Sequence, residues 1–215
     1  MAESTIVYYV RHAENVANVT GQFSHRAVDL DLTPRGIRQA TQVAEFLAGQ
    51  PVGDGPIFAS PLRRAIRTAE FIGERLGHPV AVLEAFREVD VGSLEGLSGP
   101  DALDAYWDVL ASWRAGDRGR RFPGGGESHF DMVDRLQAGF DEIIRCGTPG
   151  PYVLSAHAGL LRAGFTTLLS EEFDMRLAIP NCSVSLLEID PARRYAFGYL
   201  ARSDFLSQET SADRP

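Results

Sequence analysis

Five side chains able to bind an anion or move a proton fall at the ends of apolar runs in this sequence. Arg11 and His12 follow directly on Thr5 to Val10 (TIVYYV), a β-branched and aromatic run that reads as a buried strand. Arg64 lies just beyond a second short run, Ile57 to Ala59. Glu88 follows a third, Val80 to Leu83, and His157 ends a fourth, Tyr152 to Ala156. A histidine after a strand is more often structural than reactive, so no one position decides the matter. The repetition does: if the four runs are parallel strands of one sheet, all five groups converge on one mouth.

The intervening segments have the form needed to make the strands parallel. In TPRGIRQATQVAEFLAG, Thr33 is placed to cap a helix, Pro34 to occupy its first position and Gly49 to stop it, with Ile37, Ala40, Val43, Ala44 and Leu47 on one face. Ser60-Pro61 repeats the cap-plus-proline device ahead of Leu62, Ala65, Ile66, Ala69 and Ile72, and that helix ends at Gly77. Helical spacing returns through Phe130, Val133, Leu136, Phe140, Ile143 and Ile144 in Ser128 to Cys146, and again from Gly159 to Leu169. Val184 to Ile189 and Tyr195 to Leu200 read as two more strands joined at Asp190-Pro191. Strands alternating with amphipathic helices predict an α/β fold, a three-layer αβα sandwich on a mainly parallel sheet with one antiparallel edge strand. Ligands of such sheets sit beyond the carboxyl ends of the strands. Residues 1–202 read as a single domain with a cap insertion at about 93–127, and 203–215 as a loose polar tail.

Composition removes several alternatives. Lysine is absent, so all 21 basic residues are arginine, and no Schiff-base lysine or P-loop lysine is available. Arginine keeps its charge at any working pH and grips phosphate with two donors. The net charge of -8 argues against nucleic acid or an anionic membrane as partner, so an anionic ligand needs a local positive field. MAESTIVYYVRHAEN has neither a basic leader nor a membrane-length apolar run, and a cytoplasmic location is expected. Cys146 and Cys182 stand far apart and outside any metal-ligand spacing, and are expected to be buried and unpaired.

RHAENVAN (Arg11 to Asn18), LTPRGIRQA (Leu32 to Ala40), SPLRRAIRTA (Ser60 to Ala69), REVDVGSLEG (Arg87 to Gly96), PGGGES (Pro123 to Ser128) and SAHAG (Ser155 to Gly159) together resemble the histidine phosphatase superfamily, branch 1, which includes the phosphoglycerate mutases. The pieces stand in that family's order from about residue 5 to residue 165. The resemblance implies a phosphatase that hydrolyses a phosphate monoester of a small metabolite through a phosphohistidine, with no metal or other cofactor. It implies His12 as nucleophile, Arg11, Arg64 and His157 as phosphate clamp, Glu88 as proton donor, and Asn18, Asn15 and Ser24 as phosphate or substrate contacts. Two positions depart from the family pattern, with Ala13 and Ala158 where glycine is usual. A methyl group there limits how closely backbone and phosphate approach without removing a reactive group.

The chemistry implied needs these groups. A neutral imidazole attacks phosphorus through one nitrogen while the other is held by a carbonyl, and a carboxyl moves the proton. At about 4 Å and an effective dielectric near 20, each cation contact is worth roughly 4 kcal/mol before desolvation, enough for a local clamp to outweigh a distant net negative charge. Two other readings stay open: mutase-type phosphotransfer and a non-catalytic phospho-ligand binding module. A homodimer also stays open. In the cap, Tyr106, Trp107, Trp113 and Phe122 either line the mouth or pack the cap itself. Arg114, Arg118, Arg120 and Arg121 either meet a second anionic group or form a solvated loop.

Overall fold

A computed structural model of the protein describes residues 4–169 and 177–207. The chain runs β1 (Thr5–Arg11), α1 (Val16–Thr20), α2 (Pro34–Ala48), β2 (Ile57–Ala59), α3 (Arg63–Leu76), β3 (Val80–Val82), α4 (Pro100–Arg114), α5 (His129–Arg145), β4 (Tyr152–Ala156), α6 (Ala158–Leu168), β5 (Val184–Ile189) and β6 (Tyr195–Arg202). Short 3-10 turns occupy Glu84–Phe86 and Gly92–Leu94.

The six strands form one sheet in the order β3-β2-β4-β1-β5-β6. The pairs β3-β2, β2-β4 and β4-β1 are parallel. Strand β5 runs against β1, and β6 runs against β5. The reversed strand is thus one place in from the edge, and the edge strand β6 points the same way as β1.

Strict alternation along β1 builds the three layers, because successive side chains leave a strand on opposite faces. Val7 and Tyr9 join Leu154 of β4, Leu136, Phe140 and Ile143 of α5, and Leu160, Leu161 and Phe165 of α6 in one core. Tyr8 and Val10 join Ala40, Val43 and Leu47 of α2 and Ala69 and Ile72 of α3 in the other. Tyr106, Val109, Leu110 and Trp113 of α4, together with Phe122, extend the first core. The segment predicted as a cap therefore shares that core.

Several local expectations are corrected. Thr33 caps α2 through Gly36 N–H and Pro34 opens it, as the pattern predicts, but Ile37 points outward at 45% exposure. Its place on the buried face is taken by Gly36 and Gln39. Leu62, and not Ser60, is the cap residue of α3, with no side-chain cap. Ser60 is buried, and its Oγ accepts from Leu62 N–H at 3.3 Å and also meets the His157 ring. His129, the first residue of α5, is buried edge-on against Trp113. Cys146 is exposed, whereas Cys182 is buried as expected, and both are free thiols. The tail predicted to be loose from Ser203 is packed as far as Leu206: Phe205 stacks on Phe46 at 4.1 Å and Leu206 is buried. Residues 208–215 lie outside the described residues. Among the described residues no helix is long and apolar enough to cross a membrane.

The loop leaving β1 is tied to the start of α2 by one side chain. Glu14 accepts from Thr33 Oγ1 at 2.7 Å and from Arg35 Nη1 at 2.6 Å, while its carbonyl accepts from Thr33 N–H. Gly36 permits this approach, since a Cβ there would stand 2.0 Å from the Glu14 carbonyl oxygen. Alanine is the better helix former by about 1 kcal/mol. The clash reverses that sign, and Gly36→Ala is expected to lower stability by about 1–3 kcal/mol, read as a lower urea midpoint at unchanged m.

Candidate active site

Strand register brings the reactive groups together. Arg11 of β1 pairs with Ala156 of β4, so the next residues, His12 and His157, leave neighbouring parallel strands side by side. Their rings lie 5.1 Å apart. Ala59 of β2 pairs with Ser155 on the other side of β4, which places Ser60 against His157 and delivers Arg64 in the first turn of α3. The cleft over these strand ends has a volume of about 210 Å³. It is lined by all eight residues the sequence singles out apart from His157, which lies directly behind Arg64.

Arg64 links the two rings. Its guanidinium is buried and can only donate. Nε donates to His12 Nε2 at 3.1 Å and Nη2 to His157 Nδ1 at 3.3 Å. These bonds assign both tautomers. In His12, Nε2 carries the lone pair and Nδ1–H donates to the Ala13 carbonyl at 2.8 Å. In His157, Nδ1 carries the lone pair and Nε2–H donates to Ser60 Oγ at 2.6 Å. Two further Arg64 donors meet Ser24, Nη1 at its Oγ (2.7 Å) and Nη2 at its carbonyl (2.9 Å), and Asp29 stands 3.8 Å from Nη1. Arg63, by contrast, is a surface residue paired with Asp31.

Burial, then the Arg64 and Arg11 charges, hold the His12 imidazole well below the usual histidine range. Burial, then Arg64 and His12, do the same to His157. The structure thus favours a neutral His157, whereas a phosphate clamp built on charge calls for a protonated one. As it stands, His157 contributes a buried polar ring and not a cation. Burial pushes Arg64 down to about 10, so it stays charged near neutrality.

The other predicted residues take distinct places. Arg11 Nη1 donates to the Ile179 carbonyl, and its backbone N–H to the Ser183 carbonyl at 3.1 Å. Asn15 caps α1 and shares a reciprocal capping box with Asn18, so its side chain serves local structure although it lines the cleft. Asn18 Oδ1 also accepts from Asn181 Nδ2 at 3.1 Å, which leaves its amide donors for the cleft. Glu88 reaches the N-terminus of α6: Oε2 accepts from Gly159 N–H at 3.1 Å, and Oε1 from Leu160 N–H at 2.7 Å and Val89 N–H at 2.9 Å. Gly159 allows this contact, because a Cβ there would stand 2.7 Å from Glu88 Oε1.

Sequence reasoning missed four supports. Tyr9 Oη donates to the His157 carbonyl at 2.8 Å and accepts from its N–H at 3.2 Å. Asn181 Nδ2 donates to the His12 carbonyl at 2.9 Å. Ser60, read as a cap, orients His157. Arg162 lines the cleft from α6 and donates to the Leu177 carbonyl. Of the cap residues, Leu103, Tyr106 and Trp107 face the cleft, while Trp113 and Phe122 pack inside. Arg120 pairs with Asp108 and Arg121 with Asp131 at 2.8 Å, and neither lines the cleft.

Both buried imidazoles titrate below the roughly 6.5 of a free ring, so the unfolded chain takes up protons before the native one does. Stability is therefore complete above that pH and falls as pH drops through about 6.5 toward the folded-state values. Imidazole NMR at pH 6 is expected to show His12 and His157 neutral, His12 protonated at Nδ1 and His157 at Nε2. A charged His12 at that pH would contradict the arrangement.

Residues 7–198 match the family model described as histidine phosphatase superfamily (branch 1). Glucosyl-3-phosphoglycerate phosphatase of Mycolicibacterium vanbaalenii is 34% identical over 173 residues, 77% of this chain and 74% of that protein. A probable phosphoglycerate mutase of Salmonella paratyphi C is 29% identical over 203 residues, 92% of this chain and 91% of its own length. Among solved structures, the native mycobacterial glucosyl-3-phosphoglycerate phosphatase superposes with a TM-score of 0.74 at 26% identity, over 93% of this chain and all of that one. With the strand-end histidines, the buried arginine between them and a family match over nearly the whole chain, this protein belongs to the histidine phosphatase superfamily, branch 1.

Proposed function

We propose that the protein hydrolyses a phosphate monoester of a small metabolite, with His12 as the nucleophile that carries the phosphoryl group between two half-reactions. The observation that carries this reading is the fixed tautomer of His12. A carbonyl holds Nδ1–H, so the Nε2 lone pair faces the cleft beside two guanidinium groups.

That lone pair accepts from Arg64 Nε, so an incoming phosphoryl group has to take over this donor. The exchange releases the nucleophile as the anion is gripped. Arg64, Arg11 and Asn18 donors then surround the non-bridging oxygens and offset the charge on the transferring group. A dianion placed beside His157 also supplies the partner that would let this ring take up a proton.

In the first half-reaction the Nε2–P bond forms as the P–O bond to the leaving group breaks, and a protonated Glu88 gives its proton to the departing oxygen. In the second, the Glu88 carboxylate takes a proton from the water that attacks the phosphohistidine, releasing phosphate and restoring His12. Backbone N–H groups fill both lone-pair positions of Oε1 and one of Oε2, so the proton of the acid form sits at the remaining position on Oε2. Leu103, Tyr106 and Trp107 give the leaving-group side an apolar wall, with Arg162 as a cation at its border.

Mutase-type phosphotransfer is the second reading, favoured by the end-to-end likeness to a probable phosphoglycerate mutase. Phosphate release without a bisphosphate primer separates the two, and it is the expected result. A rapidly quenched reaction with 32P-labelled substrate is expected to trap an acid-labile adduct in the wild type and none in His12→Ala. Glu88→Gln is expected to leave KM within about threefold and to lower turnover on an alkyl phosphate at least tenfold. Unchanged turnover would remove Glu88 from the acid role.

A further inference from the structure

We propose that Arg135, outside the cleft on α5, is a positioning residue that fixes the aim of the Glu88 carboxyl; the inference rests on the reading of Glu88 as general acid. Glu88 lies in a stretch without regular structure, between the 3-10 turns at Glu84–Phe86 and Gly92–Leu94. No strand or helix holds its backbone, so another group has to.

Arg135 supplies that hold with all five of its N–H donors. Nη1 donates to the carbonyls of Ala85 and Arg87, each at 2.8 Å. Nη2 donates to the Glu88 carbonyl at 3.3 Å and to Glu127 Oε2 at 2.8 Å, and Nε donates to Glu127 Oε1 at 2.5 Å. Glu127 carries the clamp past the acid: Oε2 also accepts from Asp90 N–H at 2.9 Å, and its own N–H donates to the Asp90 carbonyl at 2.9 Å. The pair therefore grips the chain on both sides of Glu88. From the opposite side, His25 Nδ1–H donates to the Glu88 carbonyl at 2.7 Å.

Only arginine meets this geometry. Its planar fork sends donors in fixed directions to three carbonyls and a carboxylate, whereas an ammonium offers three donors from one point. The Arg135 and Glu127 side chains are 21% and 15% exposed, so water replaces few of these bonds. Arg135→Lys keeps the charge and loses the fork. The Glu88 side chain would stay present but lose its fixed bearing on the leaving oxygen.

Leaving-group dependence separates this role from general support of the fold. A partly unfolded enzyme loses the same factor in kcat/KM for every substrate, whereas a mis-aimed acid penalises only leaving groups that need a proton. The measurement is kcat/KM for Arg135→Lys, Glu88→Gln and wild type on p-nitrophenyl phosphate and a series of increasingly basic alkyl phosphates, with inorganic phosphate as inhibitor. For Arg135→Lys we expect p-nitrophenyl phosphate within about threefold of wild type, alkyl phosphates slowed about tenfold or more, and phosphate inhibition unchanged. Glu127→Gln, which keeps the side-chain shape, is expected to steepen the dependence in the same direction should Arg135→Lys fail to fold. A uniform loss, or none, in the variant that folds overturns the positioning role while leaving Glu88 in place. A flat series for Glu88→Gln would instead remove the acid itself, and this inference with it.

Discussion

A guanidinium that can only donate, buried between two imidazoles, constrains everything around it. Arg64 requires a lone pair from each ring, which forces the His12 proton onto Nδ1 and the His157 proton onto Nε2. Each displaced proton then needs an acceptor, and the fold provides the Ala13 carbonyl and Ser60 Oγ. Burying the cation is expensive unless its donors are met, and the loop around Ser24 meets those that the histidines do not. Loop, strand ends and helix start are thereby bound into one hydrogen-bonded unit.

The sheet explains why these groups can be so close. Parallel strands deliver successive chain segments to the same edge, and the register Arg11 to Ala156 puts both histidines one residue beyond paired positions. The net charge of -8 does not oppose this, because the carboxylates nearest the clamp are themselves engaged: Asp29, 3.8 Å from Arg64 Nη1, accepts from Arg63 N–H. Glu88 is held by backbone N–H groups, and Glu95 Oε1 accepts from the N–H groups of His25 and Val28.

Much of this was legible in the sequence, for physical reasons. Thr33-Pro34 and Gly49 announce α2, the apolar runs announce the strands, and the positions of Arg11, His12, Arg64, Glu88 and His157 beyond those runs predict their convergence. What stayed hidden depends on long-range contact. Asn181 touches the His12 carbonyl from a loop with no periodic signal, and Tyr9 looks like any other inward strand residue although its hydroxyl brackets the His157 backbone. Ser60-Pro61 carries a local cap signature, and the hydroxyl does accept from Leu62 N–H, but its bond to His157 is a tertiary one that no local pattern announces. The neutral state of His157 was also out of reach, since it follows from burial and from cations drawn from three other elements.

One helix terminus carries both His157, as the residue preceding α6, and the backbone N–H groups that hold Glu88. His157 and the Glu88 carboxyl are thus held at one helix end, with Arg135 and Glu127 steadying the Glu88 backbone behind it, and none of these bonds comes from α4. Leu103, Tyr106 and Trp107 line the cleft from α4. On the proposed hydrolysis, selectivity and reactivity become separable traits: exchanges at Leu103 and Trp107 would retune the guest list of the cleft while the strand-end groups beneath keep their spacing.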